Sequence, residues 1–252
     1  MSAHSVETVQ RLGLPEPIRA CLFDLDGVLT QTADVHRAIW AEVFDALLAE
    51  RGGSYRPFTE ADYRAYVDGK PRRDVVRDFL ASRGIHLPEG DPDDLPSFGT
   101  IAGVANYKNE RLLERFRTDG VRVFHGSVGY VEAVRAGGLR TAVVTAPENA
   151  AAVLDAAGIS GLFDVRVDGV VADQEGLAGK PAPDTFLAAA LAAGVRPDEA
   201  AVFEDALAGV AAGRAGGFGY VVGVDRGGQA AALREHGADV VVSDLSELLE
   251  RP

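Results

Sequence analysis

Ala20-Cys21-Leu22-Phe23-Asp24-Leu25-Asp26-Gly27-Val28-Leu29-Thr30 joins a short unbroken apolar run to two carboxylates and a glycine. A run that is apolar at every position reads as a strand buried on both faces, as in a parallel sheet covered by helices. Similar runs recur at 139–145, 200–203, 219–224 and 239–242, with Ala-rich helical segments at 148–157, 183–193, 206–215 and 229–235. That alternation predicts an α/β fold built on a doubly wound parallel sheet. The stretch 33–122 breaks the rhythm. It opens with Val35, Ile39, Val43 and Leu47 recurring every four residues, and Trp40, Phe44 and Leu48 doing the same, which predicts an amphipathic helix. Further helices are expected at 73–82 and 105–117, and the Pro/Asp-rich run 88–94 reads as a loop. The chain is therefore expected to divide into a core of 1–32 with 123–252 and a helical insert of 33–122 placed after the first strand.

Composition removes several classes of function. Apolar residues are 47% and charged residues 25%, which excludes a disordered tail, a collagen-like repeat or a coiled coil. The longest nearly unbroken apolar stretch, 186–195, is too short to span a bilayer. A formal net charge of −13 disfavours nucleic acid and anionic membrane surfaces as partners. The first residues carry neither a basic n-region nor an apolar h-region, and Cys21 is the one cysteine. A soluble protein of the reducing cytoplasm is the expectation.

Asp24 falls where the first strand should end, the edge at which open parallel sheets bind ligands. Asp26, two residues on, projects to the same side, and Gly27 permits a backbone turn. Two carboxylates this close require either a shared proton or a cation. Three other segments are expected at strand ends: Thr145, the turn Gly179-Lys180-Pro181, and Glu204-Asp205. Each has an ordinary reading. Asp-x-Asp can cap a turn, Thr145 with Glu148 forms a Thr-x-x-Glu helix start, and Lys180 or Glu204-Asp205 can be solvated. Their joint occurrence in this order argues for one site. Several carboxylates meeting at a sheet edge call for a hard divalent cation, and oxygen-only ligands favour Mg²⁺. A lysine and a hydroxyl beside it suit the charge of a transferring phosphoryl group.

In order and spacing these segments resemble the four motifs of the haloacid dehalogenase superfamily, over essentially the whole chain from Ala20. The insert resembles that superfamily's helical cap on a Rossmann-like core. The resemblance implies that Asp24 is a nucleophile forming an aspartyl phosphate. It makes Asp26 the general acid and base, with its backbone carbonyl facing Mg²⁺. Thr145 and Lys180 would meet phosphoryl oxygens and orient Asp24, while Glu204 and Asp205 complete the metal site.

Within the insert, Gly69-Lys70-Pro71-Arg72-Arg73 is a positive cluster in an acidic chain, fit either to grip an anion or to be a solvated helix start. Lys108 sits on a later helix and by itself reads as a surface residue; Trp40 reads as core and His36 as incidental. The insert resembles that of the β-phosphoglucomutase-like family. That resemblance makes Gly69 and Arg72 a grip for a second phosphate, brings Lys108 to the active site, and makes His36 a hinge residue engaging the general acid and Trp40 an aromatic near the sugar. In the core, Ala146 and Asn149 fall in a matching substrate loop, but Pro147 stands where a hydroxyl is expected. The implied activity is a mutase interconverting β-glucose 1-phosphate and glucose 6-phosphate, acting as a monomer on a phosphorylated sugar. A cap-gated sugar-phosphate phosphatase is the alternative. A phosphorylatable signalling receiver, a switch rather than an enzyme, lacks the large insert and fits the Asp-x-Asp-Gly turn poorly. Neither Gly69-Lys70 nor Gly179-Lys180 completes a nucleotide-binding G-x-x-x-x-G-K-[ST] loop.

Overall fold

A computed structural model describes residues 10–52, 56–67 and 70–249 of the chain. Strand β1 (Ala20–Phe23) leads into an insert of four helices: α1 (Ala33–Arg51), α2 (Glu60–Tyr66), α3 (Arg72–Ser82) and α4 (Ile101–Asp119). There follow α5 (His125–Ala136), β2 (Arg140–Val144), α6 (Ala150–Ala156), β3 (Val165–Val167), α7 (Gly169–Glu175) and α8 (Asp184–Ala192). The chain closes with β4 (Ala200–Glu204), α9 (Leu207–Ala215), β5 (Tyr220–Val224), α10 (Ala230–Glu235) and β6 (Val240–Val242). Contacts group it into two compact units, Met1–Gln31 with Val121–Pro252, and Thr32–Gly120. Among the described residues no helix is long and apolar enough to cross a membrane.

The larger unit holds a six-stranded sheet, all parallel, in the order β3-β2-β1-β4-β5-β6. Winding outward both ways from β1 is the doubly wound α/β arrangement. Both faces of β1 are buried, which is why its sequence is apolar at every position. Ala20 and Leu22 pack on one side with Ala142, Val144, Val202 and Phe186. On the other, the Phe23 ring stacks on Phe203 at 4.4 Å and meets Tyr130 edge-on at 6.4 Å. Two sequence expectations need correction. Val165–Val167 was not foreseen as a strand: it is three residues long, half-exposed and carries Arg166 in its middle. No strand precedes Lys180. Gly176 takes a left-handed conformation that ends α7, and 176–183 runs irregularly into α8.

The smaller unit is helical. Ile39, Trp40, Val43, Phe44, Leu47 and Leu48 of α1 are buried, the stripe that the four-residue spacing predicts. Trp40, Phe44, Phe58 and Phe79 form a chain of ring contacts, with Phe44 and Phe79 centroids 4.0 Å apart. Helix α2 starts in a reciprocal capping box between Thr59 and Asp62. Asp62, almost wholly buried, also accepts from Arg83 at 2.8 Å. Burial pushes this carboxyl up, but the hydrogen bonds of Arg83 and Thr59 together hold it below the usual carboxylate range.

Candidate active site

Strand register builds the site. Phe23 of β1 lies opposite Val143 on one side and Phe203 on the other, so the residues that follow these strands emerge at one level. The Asp24 N–H continues the ladder to the Phe203 carbonyl at 2.9 Å. Glu204 ends β4 beside it, 1% exposed, and Thr145 follows β2, also buried.

Lys180 reaches this edge from the irregular segment before α8. Its Nζ donates to Asp24 Oδ1 at 2.6 Å, to the Val144 carbonyl at 3.2 Å, and to Glu204 Oε1. Burial alone would push the ammonium down, yet the two carboxylates hold it above the ordinary lysine value. Glu204 Oε2 accepts from the Ala206 N–H at 2.9 Å, so both of its oxygens are engaged.

Asp24, Glu204 and Asp205 each offer an oxygen within 4.8 Å of the others. Burial first, and then Glu204, Asp205 and Asp26, raise Asp24 well above the usual range, against the opposing pull of Lys180. Burial and Glu204 likewise push Asp205 up to about 8. A single lysine does not balance this many acids. An oxygen-only, electron-rich donor set of this kind fits a hard divalent cation, which would let the carboxylates ionise together. The Asp26 carboxylate is outside that group: it is half-exposed and its Oδ1 accepts from Thr30 Oγ1 at 3.4 Å. The Thr30 hydroxyl also contacts the Leu25 carbonyl at 3.1 Å and so ties the turn across its base.

Two glycines make the crowding possible. Gly27, at φ +89°, lies where a Cβ would come within 1.9 Å of Asp205 Oδ2. A Cβ on Gly209 would come equally near Glu204 Oε1. Side chains at either position would push an acid out of place.

The Thr145–Glu148 helix start does not form. Asn149 occupies the cap position of α6, without a side-chain cap bond, while the Thr145 N–H donates to Val167 carbonyl at 3.0 Å. Ala146 is exposed and Asn149 half-buried in the same loop. In the helical unit, the surface expectation for Lys108 fails: it is 1% exposed. Its Nζ lies 3.2 Å from His36 Nδ1 and 5.2 Å from the Trp40 ring centroid, so these three residues come together. Arg72 is the first residue of α3 and half-buried; Gly69 lies outside the described residues.

Sequence reading passed over Arg226 and Gln229, which follow β5. Arg226 donates to the carbonyls of Gly27 and Val28, and Gln229 to that of Asp205. Their one available signal was position, since the ends of the other strands had already supplied acids and a hydroxyl.

The profile of the haloacid dehalogenase-like hydrolase family matches residues 18–217. A β-phosphoglucomutase of Mycobacterium tuberculosis is 57% identical over 246 residues, covering 94% of each chain. A validoxylamine A 7'-phosphate phosphatase of Streptomyces hygroscopicus is 28% identical over 91% of this chain and 95% of its own. Among solved structures, CbbY from Rhodobacter sphaeroides in complex with phosphate superposes with a TM-score of 0.71 at 27% identity, covering 92% of this chain and 96% of that one.

Proposed function

The chain belongs to the haloacid dehalogenase-like hydrolase family, and on that premise we propose that it is a β-phosphoglucomutase working through a phosphorylated Asp24. The observation that carries this is the 57% identity, spread over 94% of both chains, with a β-phosphoglucomutase. The Lys180-tethered carboxylates supply chemistry of the required kind. In the first half-reaction an Asp24 oxygen bonds to phosphorus while the bond from phosphorus to the sugar oxygen breaks. Asp26 gives its proton to that leaving oxygen. In the second, a hydroxyl of the bound sugar phosphate attacks the aspartyl phosphate, and Asp26 takes that hydroxyl's proton. Thr145 and Lys180 donate to the phosphoryl oxygens, and Lys180 keeps Asp24 aimed. Mg²⁺, held by Asp24, the Asp26 carbonyl, Glu204 and Asp205, would offset charge gathering on the phosphoryl group.

The same reading gives the helical insert the role of a cap. Gly69 and Arg72 take the second phosphate. His36, Trp40 and Lys108 serve the sugar and the general acid, with Ala146 and Asn149 lining the substrate loop. Excluding water at this stage is what separates transfer to a sugar from hydrolysis. We assign the enzyme to the cytoplasm, as a monomer with a phosphorylated sugar as its partner. A sugar-phosphate phosphatase is the second reading, favoured by Pro147 in place of a hydroxyl and by the relative named a phosphatase.

One assay decides between them. The enzyme is given β-glucose 1-phosphate, Mg²⁺ and a trace of glucose 1,6-bisphosphate, while glucose 6-phosphate and free phosphate are followed together. The mutase forms glucose 6-phosphate with little phosphate released. Stoichiometric phosphate release would sink the mutase reading.

A further inference from the structure

We propose that the loop after β5, residues 225–229, is a clamp that sets the spacing between the Asp26 turn and the Asp205 turn, with Arg226 and Gln229 as positioning residues. The proposal rests on the roles given above to Asp24, Asp26 and Asp205. None of the four motifs contains this loop, and neither side chain touches a carboxylate of the cluster through the hydrogen bonds described.

The loop is itself stiff. Asp225 Oδ1 accepts from the backbone N–H groups of Gly227, Gly228 and Gln229 at 3.1, 2.7 and 2.9 Å. The Asp225 N–H in turn donates to the Val242 carbonyl of β6 at 2.8 Å. The loop is thus anchored to the sheet before it reaches the site.

From that anchor two arms extend. Arg226 Nε donates to the Gly27 carbonyl at 2.8 Å and Nη2 to the Val28 carbonyl at 3.3 Å. Its remaining bonds face the other way, to the Ser243 carbonyl at 2.7 Å and to the buried Ser127 hydroxyl at 3.3 Å, with Asp244 at 3.8 Å. The guanidinium lies 3.5 Å from the centroid of the Phe124 ring, so its plane is fixed as well as its position. Gln229 Nε2 meanwhile donates to the Asp205 carbonyl at 2.8 Å.

The two arms grip backbone on either side of a close approach, where a Cβ on Gly27 would come within 1.9 Å of Asp205 Oδ2. The residue gripped at Gly27 is the immediate neighbour of the general acid. The residue gripped at Asp205 is a metal ligand. Only a rigid fork with several donors can hold two successive carbonyls and a third group at once, a geometry lysine does not share.

Three measurements on the full-length protein test the clamp. With acetyl phosphate as donor, Arg226→Ala should lower kcat about 10–100-fold, the scale of a misplaced catalytic group, with KM nearly unchanged. Arg226→Lys should recover only part of that loss. In the folded variant, amide hydrogen exchange of residues 25–30 should accelerate while that of β4 stays as in the wild type. For Gln229→Ala, calorimetric titration with Mg²⁺ should show affinity about 10–100-fold weaker, the usual cost of removing an outer support of a metal ligand. A kcat within twofold of wild type together with unchanged exchange at 25–30 would overturn the Arg226 arm. Unaltered Mg²⁺ affinity would overturn the Gln229 arm. If the wild type fails to turn over acetyl phosphate, the aspartyl-phosphate reading falls, while exchange and titration still decide the clamp.

Discussion

Lys180 answers two carboxylates and a carbonyl with one ammonium, and no other described lysine or arginine is hydrogen-bonded to Asp24 or Glu204. Its removal therefore does more than dilute the local field. Asp24 and Glu204 would be left buried beside each other with their shared counter-charge gone, and breaking such a pair costs about 3–5 kcal/mol. We expect Lys180→Met to lower kcat by roughly 10²–10³-fold, as loss of one preorganised electrostatic donor does. The same variant should melt below the wild type in EDTA, and added Mg²⁺ should narrow the gap. Paired thermal melts with and without the metal check this; equal melting temperatures in EDTA would show that Lys180 carries no structural charge balance. Asp24, Thr145 and Glu204-Asp205 were legible as candidates for one site because each stands directly after an apolar run. Lys180 was legible as a residue but not as a position. It arrives from an irregular segment after α7, which no periodicity foretells.

Element by element, the long and strongly periodic pieces were readable and the short ones were not. Helix α1 announced itself through repeated four-residue spacing, but α2 has seven residues and draws its order from Thr59, Asp62 and Arg83. Arg83 lies outside that helix, so no local window contains its stabilising partner. Its guanidinium also sits 4.5 Å from the Phe79 ring centroid, joining α2 to the aromatic chain through α3. Because the Asp62 carboxyl is held below its usual range, its ionised form is the one that stabilises the fold. That contribution is complete above the unfolded-state value of about 4 and is lost as pH falls through the lower folded value. We expect Asp62→Asn to destabilise the helical unit by about 3–5 kcal/mol at neutral pH. As pH falls below the unfolded-state value, the difference from wild type should shrink. Denaturant midpoints measured across that range test it, and a constant difference would contradict the assignment. The burial of Lys108 was not legible from its own helix for a related reason. Its burial depends on His36 and Trp40, more than sixty residues earlier in the chain.

In the molecule as a whole, repulsion among buried acids is a standing cost that a bound cation would relieve. A ligand at a hundred times its Kd adds about 2.7 kcal/mol to stability, which raises the melting temperature of a chain this size by roughly 5–10 °C. We expect saturating Mg²⁺ to produce a rise of that order in the transition of the sheet-containing unit. Asp205→Asn should abolish most of the rise while lifting the metal-free melting temperature, because one of the repelling charges is gone. Scanning calorimetry of both proteins, with and without metal, reads the two effects separately; a metal-free variant less stable than wild type would refute the repulsion. The sheet order carries one more consequence. Strand β1 lies at the middle of the sheet and precedes the other described strands in the chain, yet its neighbours β2 and β4 begin at Arg140 and Ala200. At about 5–20 residues per second, a ribosome leaves β1 without either neighbour for several seconds or longer. During that wait the helices of Thr32–Gly120 can complete their own nearby contacts, whereas Ala20–Phe23 stays an apolar ribbon with both edges open. Synthesis thus leaves this apolar segment without partners until the carboxyl-terminal half emerges.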